Sequence, residues 1–124
     1  MIKQGDIAWL NLDPKMGHEQ SGRRPVIVVS NAYFQSATSQ VMIMVCPITK
    51  SDNSFPLHIP LNDETKTQGF AMCEHIKTLD ITARNYQFIE ELPEEILEEI
   101  LKVLADATQK DPKTNIVAEI AETN

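Results

Sequence analysis

The chain has 124 residues, a formal net charge of −7, two cysteines and only four glycines. That length suits one domain with an ordinary hydrophobic core and no disulfide staples. With no charged-then-apolar leader at Met1 and no apolar run near about eighteen residues, a soluble, non-secreted protein away from membranes is expected. Zinc-ligand spacing, a phosphate-cradling glycine loop and a dinucleotide fingerprint are all missing, so no metal and no cofactor are expected. Cys46 and Cys73 lie among apolar residues without C-x-x-C spacing and read as small buried hydrophobes in a reducing compartment, the cytoplasm.

The acidity is uneven. From residue 90 onward ten acids face only Lys102, Lys110 and Lys113, which accounts for the whole net charge of −7. Residues 1–89 balance, and their bases include Lys15, Arg23, Arg24, Lys50, Lys77 and Arg84. A local positive groove, and with it a nucleic-acid substrate, is compatible with the acidic total.

Gly5-Asp6 signals a turn, and Ile7 to Leu12 reads as a first strand ended by Asp13-Pro14. A polar loop, Lys15 to Arg24, leads to a strand from Val26 to Ser30, with Pro25 at its first position, where no ladder donor is needed. Asn31 to Gln40 is polar around Tyr33 and Phe34 and reads as one helical turn and a loop. Val41 to Ile48 is a continuous apolar, β-branched run and the clearest strand. Leu57 to Leu61 makes a short strand edged by Pro56 and Pro60, and Asn62 to Gln68 is a hairpin-like excursion ended by Gly69. Phe70 to Ile76 is another strand, followed by "KTLD". After Pro93 the period changes: Ile96, Leu97, Ile100, Leu101 and Leu104 recur at helical spacing, with Glu94 and Glu95 at the positive end of the dipole. Five or six short strands and one amphipathic helix predict an α+β, mainly β chain. The expected fold is a small, twisted antiparallel sheet or partly open barrel with the helix packed on it.

One stretch stands out. In "GHEQSGRRPVIVVSN", Gly17 to Asn31, a loop with His, Glu, Gln and two Arg runs straight into Val26-Ile27-Val28-Val29. So apolar a strand anchors the end of the loop against a core, which is how chemistry is mounted on a scaffold.

The segments "GDIAWLNLDPKMGHEQSGRRPVIVVSN", "VCPITK" and "CEHIKTLD", in that order and with a closing helix, resemble the MazF/PemK family of toxins from toxin–antitoxin pairs. The resemblance runs from about Met1 to Thr108 within a single expected domain, 1–124, and leaves the tail from Gln109 unexplained. It implies a CcdB/PemK-type fold, a twisted sheet closing like an SH3-like barrel with a C-terminal helix. It also implies a homodimer with an RNA groove across the subunit interface, a cognate antitoxin, and sequence-specific, metal-independent cleavage of single-stranded RNA. The Arg of G-x-R-P and the Thr of P-x-T, central to cleavage in the family, are Arg24 and Thr49. The His of G-H-E-Q points to His18, with Glu19 as the alternative base or as the group that orients His18 or Arg24. Arg23, Gln20, Lys50, Glu74 and Lys77 are candidate substrate contacts. One departure concerns the Arg and Asp that PemK-like members can carry one residue apart. Met72 and Glu74 stand there, so a carboxylate is kept and a cation is not.

Metal-free RNA cleavage has the 2′-OH attack its neighbouring phosphate and expel the 5′-oxygen. It needs a proton acceptor, a proton donor and a cation at the phosphate. Arg24 suits the cation, because its planar fork matches phosphate oxygens and does not give up its proton. Thr49 can donate its hydroxyl to a phosphate oxygen, and an imidazole such as that of His18 titrates near about 6.5 when unperturbed. His58 and His75 read as structural or partly exposed strand residues, and Trp9 as core or interface. Two other functions are open: a catalytically weakened member that only binds RNA or antitoxin, and a gyrase poison like the CcdB branch. The latter is expected to act through its extreme C-terminus near an exposed tryptophan, whereas here the chain ends "AEIAETN" and the only tryptophan is Trp9.

Overall fold

The computed structural model of the chain describes residues 1–13, 22–52 and 54–113. In chain order they form β1 (Asp6–Asn11), β2 (Arg23–Val28), α1 (Ala32–Ala37), β3 (Met42–Thr49), β4 (His58–Pro60), β5 (Phe70–Met72), β6 (Lys77–Asp80), β7 (Gln87–Glu91) and α2 (Glu94–Thr108). A 3-10 turn, Cys73–His75, joins β5 to β6. The strands make one antiparallel sheet in the order β4-β5-β3-β2-β1-β7, with β6 attached to β3. No ladder joins β4 to β7, so the sheet is twisted but open, with the C-terminal helix packed against β4 and the 3-10 turn.

The run at the end of the polar loop is apolar because β2 is buried on both faces. Ile27 belongs to one cluster, with Ile7, Cys46, Ile48, Ile59 and Ala71 from the sheet and Ile96 and Ile100 from α2. Val26 and Val28 point the other way, into a second cluster with Leu10, Leu12, Ile43 and Val45. Successive strand residues alternate faces, so a strand with a core on each side shows no polar alternation. Each of the Val, Leu and Ile side chains here contributes about 1.5–3 kcal/mol by leaving water. Cys46 and Cys73 lie buried in the first cluster. The hydrogen bond with Cys73, then burial, push the Cys46 thiol far above its ordinary range, as expected of an inert core cysteine.

Two prolines mark where strands change partners. β2 begins at Arg23, earlier than the expected Val26, and Pro25 sits inside it opposite Trp9. It is tolerated because the ladder with β3 starts only at Val26, so residues 23–25 form an edge bonded to β1 alone. Pro47 lies where β3 passes from β6, paired through Val45, to β5, paired from Ile48. Between those pairs β3 moves three residues and its partner six, and the surplus is the 3-10 turn. The expected strand from Phe70 to Ile76 is therefore broken at Met72, and "KTLD" is β6. Strand β7 was not expected from the sequence, and a bulge opposite Ile7 and Ala8 lies within its ladder to β1.

Near the N-terminus of β3, Asn31 caps α1 by accepting from the Phe34 amide at 3.0 Å. Tyr33 on this helix is 80% exposed. Trp9, read as core or interface, is 39% exposed at the rim described next.

Candidate functional site

The gap between β2 and β3 opens where their ladder ends, at Val26 and Pro47, while β5 pairs along the opposite edge of β3. The wedge is a cavity of about 830 Å³. Arg24 and Pro25 line it from β2, Ile48 and Thr49 from β3, and Trp9 and Ile89 from β1 and β7. The β4–β5 hairpin adds Lys66, Thr67 and Gln68 across the opening, and Arg23, Lys50 and Ser51 complete the wall. Four of the lining residues are cationic and none is acidic among the described residues. In a chain of net charge −7 this is the reverse of the average surface, and a concave site focuses such a field.

Several polar wall groups are held by their neighbours. Arg23 donates Nη1 to the Asn85 carbonyl at 2.6 Å and Nη2 to Gln87 Oε1 at 2.9 Å, which ties it to the start of β7. Thr49 Oγ1 accepts from the Ser51 amide at 3.2 Å, which orients the oxygen and leaves its proton to be donated elsewhere. Gly69 stands against Thr49 at φ +129°, and a Cβ there would collide with the Thr49 carbonyl oxygen. Only glycine allows that approach and that backbone angle together.

The hairpin is brought to the cavity by a carboxylate on β7. Glu90 accepts from the Lys66 amide at 3.0 Å, and its Oε2 accepts from the Thr67 amide and hydroxyl, each at 2.8 Å. The bulge in β7 sets Ile89 toward the cavity beside Glu90. Desolvation opposes the charge on Glu90, but these bonds and the Lys66 charge outweigh it and hold the carboxyl below its ordinary value.

The polar loop enters through a closed neck. The Leu12 amide donates to the Gly22 carbonyl and the Gly22 amide to Asp13 Oδ1, both at 2.8 Å. Arg84 Nη1 straps the near side, donating to the carbonyls of Asn11 at 3.0 Å and Asp13 at 2.9 Å. His18, Glu19 and Gln20 lie outside the described residues.

The residues expected at the site thus divide. Arg23, Arg24, Thr49 and Lys50 line one cavity. Glu74 and Lys77 are not among its lining residues: Glu74 is on the 3-10 turn, its Oε2 2.7 Å from Nε2 of the nearly buried His58, and Lys77 begins β6. Met72 is buried in β5, so its side chain is part of the packing. Sequence reading missed Lys66, Thr67, Gln68 and Glu90. Their hairpin meets β7 only in three dimensions, and Gly69 was the one local sign that a backbone passes close by.

A small, twisted antiparallel sheet with one C-terminal helix packed on it and a cationic cleft at the ends of β2 and β3 defines a class of small β-rich proteins. Membership is more specific than that. A family model of PemK-like, MazF-like toxins of type II toxin–antitoxin systems matches residues 3–108, and the chain belongs to this family. Endoribonuclease PemK of Escherichia coli is 34% identical over 104 residues, 81% of this chain and 77% of PemK. MazF (Form-I) from Deinococcus radiodurans superposes with a TM-score of 0.79 at 29% identity, covering 88% of this chain and 97% of that one. A MazE–MazF structure (Form-II) from the same organism gives 0.74 at 29% identity, over 89% of this chain and 97% of that one.

Proposed function

We propose that this chain is the toxin of a type II toxin–antitoxin pair and acts as an endoribonuclease. Its substrate is single-stranded RNA, cut at a specific sequence without a metal ion by attack of a 2′-OH on the adjacent phosphate. Arg24 stabilises the charge that builds on the phosphoryl oxygens, and Thr49 donates its hydroxyl to one of them. The proton is moved by His18 or Glu19, while Arg23, Gln20 and Lys50 hold flanking phosphates or bases. Glu74 and Lys77, away from the cavity wall, belong to the outer path of the RNA. The chain works as one cytoplasmic domain, 1–124, in a homodimer whose cleft a cognate antitoxin occupies to silence it.

The observation that carries this reading is the shared cavity: Arg24 at the edge of β2 and Thr49 at the end of β3 face one cationic space. The names of the relatives support it from another side, since PemK is called an endoribonuclease and a MazE–MazF pair shares this fold.

Incubation of a long unpaired RNA with the protein in excess chelator, with mapping of fragment ends, tests it. Discrete cuts leaving 2′,3′-cyclic phosphates are expected. Arg24→Ala and Thr49→Val should each lower the cleavage rate on the order of 10²-fold or more, the usual loss when one transition-state donor is removed. Intact RNA in the chelator, or full activity in Arg24→Ala, would overturn the assignment.

A further inference from the structure

The connection between β4 and β5, residues 61–69, is braced on itself. The Leu61 amide donates to the Gly69 carbonyl at 2.9 Å and the Glu64 amide to Asn62 Oδ1 at 2.9 Å. The hydroxyl of the buried Thr65 donates to the Thr67 carbonyl at 2.6 Å. Two outside contacts then fix where the tip stands. Glu90 on β7 takes the Lys66 and Thr67 amides, and Gly69 lies against the Thr49 carbonyl. Lys66 and Gln68, on either side of the half-buried Thr67, are left exposed, and both line the cationic cavity.

We infer that this hairpin tip is a specificity element of the cleft: Gln68 reads the edge of the base beside the scissile phosphate, and Lys66 contacts a neighbouring phosphate. The inference rests on the nuclease reading above and deepens it. Four cations in the wall can hold any phosphate, and a phosphate carries no sequence information. Base identity is read through paired donors and acceptors on the edges of unpaired bases. A side-chain amide offers one donor group and one acceptor side by side, and Gln68 is the only amide side chain among the cavity's described lining residues. Its place in the chain suits the task. Gln68 adjoins Gly69, whose backbone touches Thr49, so it stands next to the threonine that holds the phosphate under attack. The bracing matters because a tip already ordered loses little freedom on binding, which sharpens the difference between a matched and a mismatched base. Glu90 touches no substrate in this scheme. It is a positioning residue that acts through the two main-chain amides it holds.

Cleavage of a randomised single-stranded RNA by the full chain, in excess chelator and with fragment ends sequenced, gives the base preference at each position around the cut. Gln68→Ala should flatten the preference at one position beside the cut and keep the others. On the best wild-type sequence its kcat/KM should fall on the order of tenfold, mostly through KM. Glu90→Ala should flatten the same position. Lys66→Ala should keep every preference but bind more weakly to an RNA carrying a 2′-deoxy nucleotide at the cleaved position. Loss of one phosphate contact lowers the slope of log affinity against log salt by about 0.7 for a single strand. An unchanged preference profile in Gln68→Ala would overturn the inference, and is what a tip that meets an acidic polypeptide instead of RNA would give. Equal flattening at every position in Gln68→Ala or Glu90→Ala, or an unchanged salt slope in Lys66→Ala, would also overturn it. Failure of the nuclease reading looks different, since the wild-type protein would then leave the whole RNA pool intact.

Discussion

Gly69 shows how much the site depends on a residue with no side chain. Its positive φ and its contact with the Thr49 carbonyl set the position of the threonine from behind. Gly69→Ala is expected to cost about 1–3 kcal/mol in a denaturant titration, because the strained backbone angle and the displaced neighbour act together. RNA cleavage should fall further than stability explains, and a variant that still cleaves at the wild-type rate would show that Thr49 need not be held there. Legibility at this scale follows position. Arg23, Arg24, Thr49 and Lys50 were readable because they stand at the ends of apolar strands, where local order projects directly into space. Glu74 stands away from the cavity wall because the 3-10 turn diverts the chain after Met72, and no local feature of the apolar run shows that. Trp9, read as core or interface, sits where β1 reaches the cavity rim.

Among the elements, α2 was readable from its helical spacing, and its packing rests on few residues. Ile96 and Ile100 recur one turn apart and enter the cluster that β1, β2, β3 and β5 share. Ile100 is 0% exposed, so Ile100→Ala should lower the unfolding free energy by about 2–5 kcal/mol through lost burial and the cavity left behind. A urea titration of the two proteins checks this, and a loss under about 1 kcal/mol would show that the helix packs loosely. Strands β6 and β7 were harder. Each has only four or five residues, about half of them exposed, and each is held by a neighbouring strand. Such a strand has too short a pattern to be seen without its partner.

Taken as a whole, the molecule closes its open sheet with one side chain. The Glu90 carboxylate joins the β4–β5 hairpin to β7, between the two ends that no ladder connects. Its carboxyl is held below the ordinary value, so its stabilisation is fully present above the usual Glu range, near about 4.3. It is lost as pH falls through the lower folded value. Glu90→Gln should cost about 1–2 kcal/mol near neutral pH, and the difference from wild type should vanish on acidification. Urea midpoints of both proteins along a pH series provide the test, and a gap that stays constant would mean that the charge on Glu90 plays no part. The net charge gave no hint of this closure, because the count of acids does not say that one of them bridges a hairpin and a strand.

The neck at Leu12 and Gly22 has an evolutionary consequence. Its bonds, and the strap from Arg84, are made by residues outside 14–21. The segment between can lengthen, shorten or change composition while β1 and β2 keep their register, and each doubling of its length costs only about 0.6 kcal/mol in closure entropy. Descendants of one scaffold can therefore exchange the side chains this short segment carries while the positions of Arg24 and Thr49 at the strand ends are inherited intact.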